Sequence, residues 1–99
     1  MVRHIVMWNL REDFSASEKT AAAQKIKSTL EALPSTIEGI VSLSVKIESL
    51  PTGNREIMLD SLFVSEEALA AYVTHPDHVR AGDYIKTVVI DRASIDYAE

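Results

Sequence analysis

The sequence contains no cysteine, which removes disulfides, thiolate metal sites and a cysteine nucleophile together. It holds only three glycines, Gly39, Gly53 and Gly82, too widely spaced to build a phosphate-cradling loop. No G-x-S-x-G turn is present to present a nucleophilic serine. Aromatic residues make up 6% of the chain and the net charge is −5. A nucleic-acid partner is therefore not expected, because such binding needs a basic footprint. No apolar run approaches the roughly 20 residues of a membrane span, so no membrane partner is expected. The run Ile5 to Trp8 is short and is followed by Asn9, Arg11, Glu12 and Asp13. It does not read as a signal peptide, and the cytoplasm is the expected location.

What is present reads as one domain over residues 1–99, with 46% hydrophobic and 25% charged residues. A chain of this size buries about 60–70% of its unfolded surface, so oligomerisation would add substantially to its core. Val2 to Leu10 predicts a strand with both faces apolar. His4, Val6, Trp8 and Leu10 share one face, and Ile5 and Met7 the other. Ser15 and Glu18 have capping-box spacing and predict a helix to about Leu33, ended by Pro34. Ala22, Ala23, Ile26, Leu30 and Leu33 form its apolar stripe. Val41, Leu43, Val45 and Ile47 alternate with polar residues and predict a second strand. Ile57 to Val64 predicts a third, with Leu59, Ser61 and Phe63 on one face and Asp60 on the other. Ser65-Glu66-Glu67 opens a second helix that breaks at His75-Pro76, with a further helical piece running toward Val89. Arg92 to Tyr97 predicts a last short strand.

The segment Tyr72-Val73-Thr74-His75-Pro76-Asp77-His78 concentrates the chemistry, with two of the three histidines of the chain. Imidazole suits proton transfer near neutral pH. His78 follows Pro76 at a helix N-terminus, where the dipole disfavours imidazolium, so it suits a base. Tyr72 can donate an O–H, and His4 can reach the same space from the sheet. The catalytic candidates are thus His78, Tyr72 and His4. The plainer alternatives stand beside them. His75 can cap the turn after it. Tyr72 can be a core residue with a wet hydroxyl. His4 can be a packed core histidine. His75, Asp77 and His78 have no defined metal-ligand spacing, so no metal or other cofactor is implied.

The element order β-α-β-β-α-β predicts an α+β, ferredoxin-like fold, an antiparallel four-stranded sheet with the helices on one face. On that frame, Arg3-His4-Ile5-Val6, Gly39-Ile40, Asp60 with Phe63, Ser65-Glu66-Glu67-Ala68-Leu69 and Tyr72…His75-Pro76-Asp77-His78 together resemble the stress-responsive dimeric α/β barrel family. The resemblance covers nearly the whole chain. It implies a homodimer in which two sheets meet face to face as a barrel. Most members have no established activity. Some plant members are linked to stress tolerance, and a few are polyketide cyclases. In those, a tyrosine and a histidine matching Tyr72 and His78 act on substrate held between helices and sheet.

The expected ligand is accordingly a small apolar or carbonyl-containing molecule, either simply bound or acted on by cofactor-free cyclase- or lyase-like chemistry. Its cavity should be bordered by Val6, Trp8, Ile26, Leu59, Ser61, Phe63, Leu69, His75 and Val79 with the three candidates above. Asp60 should face the partner subunit and pair with Arg3.

Overall fold

Ser15 begins the first helix as the capping box predicts. In the computed structural model, which describes Met1–Glu99, the Ser15 hydroxyl accepts from the Glu18 amide at 3.2 Å. The Glu18 carboxylate accepts from the Ser15 amide at 2.8 Å. The helix, α1, spans Ala16–Glu31 and buries Ala22, Ala23, Ile26 and Leu30. It stops short of the expected Leu33. Pro34 lies inside a separate 3-10 turn, Leu33–Ser35, since a proline lacks the N–H that an α-helix would use.

Four strands form one antiparallel sheet. They are β1, Val2–Leu10; β2, Ile40–Lys46; β3, Ile57–Phe63; and β4, Val89–Ala98. Their spatial order is β2-β3-β1-β4. The even residues of β1 and the odd residues of β3 are buried, the period-2 signature of one covered face. On that face pack α1, α2 (Glu66–Thr74) and α3 (Pro76–Ile85). This is the ferredoxin-like arrangement.

Two register shifts separate the sheet from a regular alternation. Between Ile40 and Ser42 the pairing of β2 with β3 slips, which leaves Val41 exposed instead of on the apolar face with Leu43 and Val45. The second shift lies in β4. Met7 pairs with Ala93 and Asn9 with Ile90, so Trp8 faces both Asp91 and Arg92. One extra residue is inserted there, and Asp91 takes the left-handed backbone, φ 55°. β4 consequently starts at Val89, three residues before the expected Arg92, and α3 ends at Ile85 rather than near Val89.

Gly39, φ 89°, sits where the chain enters β2, and a β-carbon there would lie 2.7 Å from that of Ala68. The outer sheet face carries half-buried Ile5, Met7, Met58 and Leu62, with Ile95 and Tyr97 exposed. On it the Arg3 guanidinium joins Asp60 at 2.9 Å and Glu99 at 2.8 Å. No helix is long and apolar enough to cross a membrane.

Candidate functional site

The break between α2 and α3 assembles the site. Pro76 ends α2, and the His75 ring nitrogen Nδ1 accepts from the Asp77 amide at 3.1 Å. His75 is therefore the cap of α3 and does not border the cavity. Three residues on, the His78 ring lies on Tyr72, with centroids 4.3 Å apart. Its Nδ1 is 3.0 Å from the Val73 carbonyl oxygen. A carbonyl only accepts, so Nδ1 carries the proton and donates. In the neutral ring, Nε2 is then the basic nitrogen. Burial holds the His78 imidazole below its ordinary pKa, against the opposing pull of the Val73 carbonyl. His4, Arg92 and His75 lower it further.

Tyr72 is fully buried, and its hydroxyl has no hydrogen-bond partner in the protein. Burial pushes this phenol up to about 12, so it remains a donor across the physiological range. Its ring meets Phe63 edge-on at 4.9 Å and His4 at 6.2 Å. His4 Nδ1 lies 2.5 Å from an Asp96 carboxylate oxygen. That carboxylate orients the imidazole and leaves its second nitrogen as the other free ring position.

These three side chains border one helix–sheet cavity of about 180 Å³, whose walls include Val6, Trp8 and Leu59. Six of the residues expected to line it elsewhere do not. Ile26 and Phe63 are fully buried in the packed core. Ser61, also fully buried, donates to the His4 carbonyl at 2.8 Å and so braces β1 against β3. Leu69 borders a separate groove with Val2 and Tyr97. His75 is turned to its cap, and Val79 is exposed on the outer side of α3. Alternation and helical spacing identified their faces, but not where along each face packing closes.

Leu30, Ile85 and Val89 complete the apolar wall, and Gly82, Lys86 and Arg92 complete the lining. The residues of α3 and its C-cap follow from helical spacing, since Gly82, Ile85 and Lys86 lie four, seven and eight positions beyond His78. Val89 and Arg92 depend on the β4 bulge, which no pattern in the chain announces. Asp96 faces the helices by alternation with Ile95 and Tyr97, but only the β1–β4 register sets it opposite His4. No group of three His, Asp or Glu side chains converges as a metal would require.

Such an arrangement combines a neutral imidazole base, a protonated phenol without a partner and a second oriented imidazole around an apolar space. Together they can hold a carbonyl oxygen and accept a proton from the carbon beside it.

Comparisons with known proteins place the chain. A search of curated proteins finds no match. Among solved structures, a dimeric protein of unknown function with a ferredoxin-like fold from Bacteroides fragilis is similar. Its identity is 35%, with 97% of this chain and 93% of that one covered, and a TM-score of 0.90. A Dabb family protein from Mesorhizobium loti is 24% identical over 99% of this chain and 95% of that one, with a TM-score of 0.75. The hydroxynitrile lyase of Passiflora edulis shares the fold at 14% identity, covering 97% of this chain and 90% of that one, with a TM-score of 0.79. The family profile described as the stress responsive A/B barrel domain matches residues 2–99. The chain therefore belongs to the stress-responsive A/B barrel (Dabb) domain family.

Proposed function

We propose that this protein binds a small carbonyl compound in the helix–sheet cavity and does so as a homodimer paired through its outer sheet face. The observation that carries the first part is the Tyr72 hydroxyl, a buried donor with no protein acceptor at the wall of an apolar cavity. Buried polar groups are almost always satisfied, so a ligand oxygen is the acceptor this site fits. The outer sheet face carries the second part. Ile5, Met7, Met58 and Leu62 with exposed Ile95 and Tyr97 make an apolar surface of the kind that marks association sites. The Bacteroides fragilis relative, described as dimeric, supports it.

A second reading, cofactor-free proton transfer, draws on a separate observation. The Val73 carbonyl fixes the proton of His78 on Nδ1 and leaves Nε2 basic. In such a step Nε2 takes a proton alpha to the carbonyl. The C–H electron pair moves into the enolate, and the Tyr72 hydroxyl donates to its oxygen. Cyclase and lyase chemistry both begin from groups of this kind, and the Passiflora edulis protein is by name a lyase.

Binding is tested by following the indole N–H resonance of Trp8, the single tryptophan and a cavity residue, while acetophenone is added. A saturating shift that weakens in Tyr72→Phe supports the ligand site, and no shift refutes it. Proton transfer is tested by the exchange of the acetophenone methyl protons in D2O. His78→Gln should lose about 10²-fold or more of any acceleration, and an unchanged rate removes the enzyme reading. Light scattering that gives a monomer at micromolar concentration would exclude the dimer.

A further inference from the structure

The cavity has a charge of its own. In a chain with 15 acidic and 10 basic residues, its lining includes Lys86 and Arg92 and no carboxylate. Both cations are exposed, so they stand at its solvent-facing border. They differ in what else they touch. Lys86 shares its charge with Asp83 at 3.4 Å, whereas the one polar contact of Arg92 is the Ser94 hydroxyl at 3.4 Å.

The other arginines are all engaged. Arg3, Arg11 and Arg80 are each paired with carboxylates. Arg55 donates to the backbone carbonyls of Asn54 and Asp91. Arg92 alone has neither a carboxylate nor a carbonyl acceptor.

Its place follows from the bulge. Val89 and Arg92 are three residues apart, yet both line the cavity, which a strand of period two does not permit. The inserted residue, Asp91, makes up the difference. It is held by Asn9, which donates to its carboxylate at 3.1 Å, and by Arg55, which donates to its carbonyl at 2.9 Å. The strand thus supplies an apolar wall residue and a guanidinium to one cavity.

We infer that the cavity selects a carboxylate-bearing ligand, whose apolar body packs against Val6, Trp8 and Ile85 and whose carboxylate is held by Arg92 at the rim. A guanidinium presents a planar fork of donors matched to a carboxylate, and Lys86 adds charge beside it. The inference rests on the cavity being a ligand site and names the class of ligand it takes.

Benzoate and benzamide are the probes, equal in shape and different in charge. Each is titrated at low ionic strength against the wild-type protein while the Trp8 indole resonance is followed. Benzoate should bind at least about tenfold more tightly, with a preference that shrinks as salt screens the exposed cation. Arg92→Gln should remove most of the preference, by weakening benzoate binding far more than benzamide binding. Arg92→Lys should restore part of it, and Lys86→Gln should reduce it less. Thermal melting of each variant checks the fold. Equal binding of the two probes, or a preference undiminished in Arg92→Gln, overturns the inference while leaving the cavity as a ligand site. If neither probe moves the Trp8 resonance, the inference and the ligand site fall together.

Discussion

Tyr72→Phe separates stability from function with the removal of one oxygen. The ring stays, and with it the edge-on contact with Phe63 and the tilted contact with His78. Only the hydroxyl is lost, and it has no protein partner to leave behind. A buried polar group without a hydrogen bond costs about 1–3 kcal/mol. The expected gain lies at the lower end of that range, about 1 kcal/mol. In a domain of this length that corresponds to a rise of about 4–8 °C in Tm. Urea unfolding measures it directly, with the midpoint rising and the slope unchanged. The same variant should bind a ketone more weakly, because the donor for the carbonyl oxygen is gone. A protein that becomes more stable as its site becomes poorer is the pattern of a residue kept for function. A loss of 1 kcal/mol or more would refute the reasoning, since it would mean that the hydroxyl is satisfied within the protein.

Three further outcomes are expected. His78 has its pKa lowered in the folded state from the ordinary 6.5, so below about that pH the unfolded chain binds the proton first and stability falls with pH. Above it both states are neutral and this dependence vanishes. Melting temperatures between pH 7.5 and 5 should show the slope, and His78→Gln should flatten it; a slope unchanged in the variant would contradict the assignment. Gly39→Ala should destabilise by about 2–5 kcal/mol, combining a left-handed backbone with overpacking against Ala68. Ala68→Gly should recover only the packing part in denaturant unfolding, and full recovery would show that the backbone carries no strain. Asp60→Asn should raise the dimer dissociation constant by up to roughly fivefold, the scale of a part-exposed ion pair, by weakening the contact with Arg3. Ligand affinity should not change, so sedimentation showing an intact dimer with lost binding would place Asp60 in the wrong role.

The sheet faces were legible because period-2 alternation is a property of the backbone, and β1 and β3 follow it without interruption. The capping box of α1 and the break at His75-Pro76 were equally plain, since each rests on contacts within a few residues. The site was legible to the extent that it shares those local signals. His4, Tyr72 and His78 do border one cavity. What failed was depth along a face. Ile26 and Phe63 point the expected way but lie where packing is complete, and Ser61 is spent on the His4 carbonyl. Val89, Arg92 and Asp96 were hidden for another reason. Their positions depend on an insertion in β4 and on its register against β1, both set by pairings between residues 79 to 96 positions apart in the chain.

The break between α2 and α3 has a consequence for reactivity. In an unbroken helix the Val73 carbonyl would accept from the Asp77 amide, four residues on. Here that amide turns instead to the His75 ring, and the carbonyl is released to hold His78. Pro76 does not border the cavity, yet the break it imposes determines which imidazole nitrogen bears the proton and which has the lone pair. Restoring a continuous helix would leave both ring nitrogens of His78 to compete for the proton. The tautomer at this site is written into secondary structure, and a proline two residues before His78 acts as a reagent-setting residue without entering the cavity.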